Sequence, residues 1–243
     1  MQLLFLIGVE GTGHHMMGRV LSGYKTRPDS IVEGRWHDLL LERWNYESCL
    51  KCYPVSSLGF KEKSLKDELK AIIKEYEEAH YLNLFEYTSF PYDQPREALR
   101  RPDILEFHDL LNDIIEIKYL VMYRNPITAT YSAVRRNFTD NIYLQAKIAE
   151  SNYIYIERQL SQISPTYYRT LHFEDFLDDP QYYGQKLAAW WNLDYETIEN
   201  SFPKLRKPAG FSGIPENSLH FLESFFNEKR LSQWKDFYYK HKI

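Results

Sequence analysis

The stretch LLFLIGVEGTGHHMMGRVL, Leu3 to Leu21, constrains this chain more than any other. An apolar run, Leu3–Ile7, leads into glycines at 8, 11 and 13, and a helical pattern begins at His14. A short continuous apolar run before a turn predicts a strand buried on both faces, the kind found in parallel sheets covered by helices. The glycines let the backbone turn back with φ > 0 and aim successive N–H groups into one concavity. The helix that follows adds its own unpaired N–H groups and the positive end of its dipole. The G-x4-G skeleton therefore predicts an anion site made of backbone.

Side chains of the loop narrow which anion it suits. A loop built for ATP and Mg²⁺ carries Lys for the β- and γ-phosphates and a hydroxyl for the metal. This chain has His14 and His15 at those two positions. Neighbouring helical residues diverge by about 100°, and the i, i+4 spacing of a metal-binding helix is missing, so no metal is expected here.

Beyond the loop, strand and helix patterns alternate. A charged helix is expected near Ser64–Ala79, then a strand at Tyr81–Tyr87. A helix at Asp103–Asp113 precedes a strand at Lys118–Tyr123, and a further helix runs from Pro126 to Asn137. Another helix covers Ala146–Gln162, followed by a strand at Tyr168–His172 and a helix at Pro180–Trp191. Strands separated by helices give an α/β class: a parallel sheet flanked by helices in three layers, of P-loop type. Ligands of such sheets bind beyond the carboxyl ends of the strands. No repeat, low-complexity tract or Gly/Ser linker interrupts the 243 residues, which predicts a single domain over 1–243.

Composition excludes several classes. The formal net charge of −4 gives no bulk affinity for nucleic acid. No run approaches the roughly 20 apolar residues of a membrane span, and no basic region or cleavage site frames the first apolar run. A cytoplasmic location is the expectation. Cys49 and Cys52 are expected to be ordinary thiols, since no second cysteine pair completes a zinc set. Asn137-Phe138-Thr139 matches a glycosylation sequon, which carries weight only with a secretory signal.

The second informative segment is KYLVMYRNPITATYSAVRRNF, Lys118 to Phe138. Here Arg124 leaves a strand, Pro126 suits a first helical turn, and Ser132 follows eight residues after the Arg. Arg at that exit can fork onto a phosphate, and Ser132 can present a hydroxyl to the same group.

This arrangement resembles the sulfotransferase family, which moves a sulfuryl group from 3′-phosphoadenosine 5′-phosphosulfate (PAPS). The family's 3′-phosphate motif pairs an Arg, often in R-N-P, with a Ser eight positions on, as Arg124 and Ser132 are spaced. Its tyrosylprotein and carbohydrate branches carry a first motif like G-V-P-R-S-G-T-T-L-M, matched at Gly8, Val9, Gly13 and Met17, with Thr12 for its Ser. Tyr167–Pro180, YYRTLHFEDFLDDP, is similar to the family's Y-E-D-L-x-x-D-P region. The resemblance implies a cradle for the cofactor built from Gly11, Thr12, Gly13, His14 and His15, with Arg124 and Ser132 on the 3′-phosphate.

Departures from the pattern raise their own expectations. The basic residue before S-G-T-T is Gly11 here, and the two Thr are His14 and His15. A histidine donates one hydrogen bond when neutral and two when protonated, so His14 or His15 is expected to supply some of the missing charge, its pKa raised by the anion. The family also needs a base. In the tyrosylprotein branch it is a Glu after P-D, and here Pro28-Asp29 precedes Glu33, with Arg35 and His37 nearby. Cytosolic members use a His at a strand end, and Ser89 stands in that place. Glu86 is the second candidate, and on an alternating strand it faces away from Ser89. Arg206 and Lys207, in KLRKPAGFSG, are either phosphate contacts or part of a solvated basic loop. Arg96, Arg100 and Arg101 either face an anionic acceptor or water.

Three activities compete at this level. The first is sulfuryl transfer to a hydroxyl of a glycan or small metabolite. A P-loop small-molecule kinase using ATP–Mg²⁺ is the second, and a non-catalytic nucleotide-binding module the third.

Overall fold

The computed structural model describes residues 2–21, 83–89, 104–202, 205 and 210–243, and part of a helix between 67 and 78. Within them β1 (Gln2–Gly8), β2 (Asn83–Ser89), β3 (Glu116–Tyr123) and β4 (Tyr168–His172) form one sheet in the order β2-β1-β3-β4. Every neighbouring pair is parallel, so each strand must be reached by a crossover, and helices fill that role.

The apolar run of β1 behaves as a doubly covered strand should, with Leu3 to Gly8 all buried. Leu3, Phe5 and Ile7 join one core, where they meet Ile117, Tyr119 and Val121 of β3. Leu4 and Leu6 join the other, with Leu120 and Met122. Strand alternation thus divides the molecule into two apolar layers. On the first face lie α2 (Ile104–Leu111) and α4 (Ile142–Leu160), the latter contributing Ala146, Ala149, Tyr153 and Ile156. The second face is covered by α1 (His14–Leu21), α5 (Phe173–Asp178) and α6 (Pro180–Trp191), through Met17, Val20, Phe176, Leu187 and Trp191.

Element ends follow local chemistry. The helix expected from Ala146 begins at Ile142, because the Asn141 side chain caps it by accepting from the Leu144 N–H at 3.0 Å. The helix α3 (Pro126–Arg135) ends short of the expected Asn137, which takes a left-handed conformation at φ 60°. The expected strand at Tyr81–Tyr87 is found two residues later, at Asn83–Ser89. The strand Tyr168–His172 and the helices His14–Leu21 and Pro180–Trp191 lie where the patterns place them.

After α7 (Tyr195–Glu199), the chain forms a short 3₁₀ turn at Gly210–Gly213, then α8 (Glu216–Phe225), α9 (Glu228–Leu231) and α10 (Lys235–Lys240). This part seals the first core with Leu222, Phe226, Trp234 and Tyr238, the Trp234 ring stacking on Tyr153 at 5.7 Å. Residues 241–243 then lie along β4. Thr170 N–H donates to the His241 carbonyl, and Ile243 N–H donates back to Thr170. No helix among the described residues is long and apolar enough to cross a membrane.

Candidate functional site

The carboxyl ends of β1 and β3 lie side by side, since Gly8 pairs in register with Met122. That register brings the glycine loop and Arg124 together, although 113 residues separate Gly11 from Arg124. Gly11 and Gly13 have φ of +87° and +93°, the left-handed region where only glycine is unstrained. Space is equally restrictive: a Cβ on Gly11 would overlap the Ala129 carbonyl of α3, and one on Gly13 would overlap the Phe173 ring. Both glycines are required by what packs against them.

The loop is held internally as well. Thr12 is fully buried, and both its N–H and its hydroxyl donate to the Val9 carbonyl, at 3.1 and 2.7 Å. The hydroxyl of Thr12 therefore staples the turn. His14 is 1% exposed, sunk at the junction of loop and helix. The Met16 and Met17 N–H groups both donate to the Gly13 carbonyl, at 2.9 and 3.0 Å, so it is the very start of the helix, at the glycine loop, that can offer backbone donors to an anion.

Arg124 ties three segments together. It is 6% exposed, its Nη1 donates to the Gly11 carbonyl at 2.8 Å, and its Nε donates to Thr128 Oγ1 at 3.1 Å. Its guanidinium carbon stands 4.5 Å from the centre of the Phe173 ring, and Glu174 Oε1 lies 3.8 Å from Nε. Burial lowers the Arg124 pKa, and the nearby Glu174 charge opposes that shift. A guanidinium stays charged regardless. Bonding the Gly11 carbonyl also cancels a dipole that would otherwise repel an anion in the loop.

Glu174 accepts from the Asn125 N–H at 3.2 Å and from the Thr128 hydroxyl at 3.3 Å. Loss of water raises its pKa, while those donors and Arg124 pull the other way. Below, Tyr153 donates its hydroxyl to the Arg124 carbonyl at 2.9 Å, fixing the strand exit against α4. Asn125 caps α3 by accepting from Ile127 N–H at 3.0 Å, with Pro126 in the first turn.

From this frame α3 projects one wall of a cleft of about 260 Å³. Arg124, Ser132, Arg135 and Arg136 line it, and Gly210 and Gly213 face them. The pair inferred from spacing, Arg124 and Ser132, therefore shares one cavity. The glycine end of the segment Lys204–Gly213 reaches the same cavity. Arg136 is tethered to the glycine loop, its Nη1 standing 3.9 Å from Glu10 Oε2.

Residue spacing did not reveal Thr128, Glu174 or the Glu10–Arg136 pair. Glu174 sits in the F-E-D segment already noted, but its bond to the start of α3 depends on β3 and β4 being neighbours. His15 lies in α1, and Glu86 and Ser89 lie in β2. Ser89 pairs in register with Gly8, at the level of the loop, whereas Glu86 pairs with Phe5, deeper in the sheet. Glu33, Arg35, His37, Cys49, Cys52, Arg96, Arg100, Arg101, Arg206 and Lys207 lie outside the described residues.

No protein-family model and no curated protein matches this chain by sequence. Solved structures do match it. The sulfotransferase domain of the Synechococcus PCC 7002 olefin synthase superposes with a TM-score of 0.54 at 12% identity, over 98% of this chain and 94% of that one. A sulfotransferase from Alicyclobacillus acidocaldarius gives 0.56 at 15% identity, over 97% and 95%. The chain has a sulfotransferase-like α/β fold.

Proposed function

We propose that this chain is a PAPS-dependent sulfotransferase, moving a sulfuryl group to an acceptor hydroxyl of a small metabolite or glycan by in-line displacement. The observation that carries the proposal is that Arg124 and Ser132 line one cleft while Arg124 also grips the glycine loop. A nucleotide with phosphates at both ends of its ribose needs two anion sites held at a fixed separation. The arginine supplies that rigid link.

The residues fit such a ligand. The loop offers glycine backbone at positions where a Cβ would not fit, and Ser132 has no hydrogen-bond partner among the described residues. Bound PAPS supplies a sulfuryl group already activated by its phosphate leaving group. The chain's tasks are then to position and to neutralise. In this reading the loop N–H groups hold the 5′ end, with His14 and His15 adding the charge that Gly11 lacks. Arg124 and Ser132 hold the 3′-phosphate, with Arg206 and Lys207 as further contacts. Glu33 takes the acceptor proton.

Calorimetric titration with adenosine 3′,5′-bisphosphate, and separately with ATP–Mg²⁺, tests the proposal. Tight binding of the bisphosphate, weakened by Ser132→Ala, is the expected result. Preference for ATP–Mg²⁺ would overturn it in favour of a kinase. Bisphosphate binding with no PAPS consumed across an acceptor panel would leave a non-catalytic module.

A further inference from the structure

The cleft beside Ser132 holds three guanidinium groups, and their charges are not equally available. Arg124 has Glu174 at 3.8 Å, and Arg136 has Glu10 at 3.9 Å. Each of those cations faces a carboxylate at near-contact distance, which offsets part of its field in the cleft. Arg135 is exposed and lines the same cavity, and among the described residues it has no ion-pair or hydrogen-bond partner. It stands one turn beyond Ser132, three residues on, so the two side chains lie on neighbouring parts of one helix face.

Resting on the sulfotransferase reading, we infer that Arg135 is a specificity-determining residue that selects a 3′-phosphorylated nucleotide by pairing with its 3′-phosphate beside Ser132. Arg124 is poorly placed to do this alone. Its Nε and one Nη1 hydrogen are committed to Thr128 and Gly11, which leaves its remaining N–H groups to share the phosphate with a second cation. A phosphate dianion gains from a cation beyond Arg124, whose donors are partly committed, and Arg135 lines the cavity beside Ser132. Among the described residues no partner takes any part of the Arg135 fork, the geometry best suited to a phosphate.

The test compares two ligands that differ only in the 3′ group. Wild type and Arg135→Ala are titrated with adenosine 3′,5′-bisphosphate and with adenosine 5′-monophosphate at one fixed ionic strength. Arg135 is exposed on a helix and alanine favours helix, so the variant should fold, and its melting temperature checks that. The expected result is a loss of about tenfold or more in bisphosphate affinity, with less than about twofold change for the monophosphate. Arg135→Lys should recover part of the loss, because charge returns without the fork. Equal losses for both ligands would show a diffuse field effect and overturn the assignment, as would no loss for either. If the wild type binds the bisphosphate no better than the monophosphate, the sulfotransferase reading itself fails.

Discussion

Arg124 and Ser132 occupy one cleft yet should behave differently when removed. Ser132→Ala takes away a hydroxyl with no hydrogen-bond partner among the described residues, so bisphosphate affinity should drop by about tenfold with the melting temperature unchanged. Arg124→Ala removes the partner of the Gly11 carbonyl and of Thr128, and leaves Glu174 without its cation. Its cost should appear in both binding and stability, with a loss of about 2–4 kcal/mol in denaturant unfolding. A variant that lost binding but kept full stability would show that the loop does not depend on Arg124. Gly11→Ala should be worse for the fold, since it combines a φ of +87° with overlap on the Ala129 carbonyl. For the proposed base, Glu33→Gln should leave bisphosphate binding intact and abolish sulfuryl transfer; unchanged turnover would remove Glu33 from the chemistry.

At the level of elements, the site depends on how α3 starts. Asn125 serves twice there, its side chain capping Ile127 N–H and its own N–H donating to Glu174. Asn125→Ala keeps the second bond and loses the first, with an expected cost of about 1 kcal/mol in unfolding free energy. Much of this was legible in the chain. Strand β1 announced itself by an apolar run too continuous for a one-sided strand, and α3 by Pro126 after a strand exit. The residues 241–243 were not legible, because nothing in their sequence marks a segment that lies along β4. Whether a short segment pairs with a sheet edge depends on the edge being presented to it, and only the packing of α8 to α10 delivers it there.

For the whole molecule, the described histidines that lose water on folding set the expected pH response. Burial lowers the pKa of His172, which is held by the Tyr238 carbonyl at 3.2 Å and lies 3.5 Å from Asp175. His108 and His241 are lowered by burial too. Each folded pKa is below the ordinary 6.5, so the unfolded chain takes up protons first as pH falls. Stability is fully present above that value and declines beneath it. Melting temperature should therefore fall as the pH is lowered through about 6.5, and His172→Gln should flatten that drop. An unchanged slope in the variant would assign the response elsewhere. Glu174 acts in the opposite sense at lower pH, because its raised pKa favours the protonated folded form.

The sequence by itself determined the class of the fold, the order of its main strands and helices, and the glycine loop. These rest on local periodicity and on residues whose backbone freedom is intrinsic. It also singled out Arg124 and Ser132, through a spacing that a strand exit and two helical turns convert into proximity. Tertiary structure alone decided what Arg124 does. Its link to Gly11 needs β1 and β3 to be neighbours, and its carboxylate partner needs β4 to lie beside β3. The same holds for charge: three arginines read alike along the chain, and only folding sets carboxylates against two of them and leaves Arg135 open to the cleft.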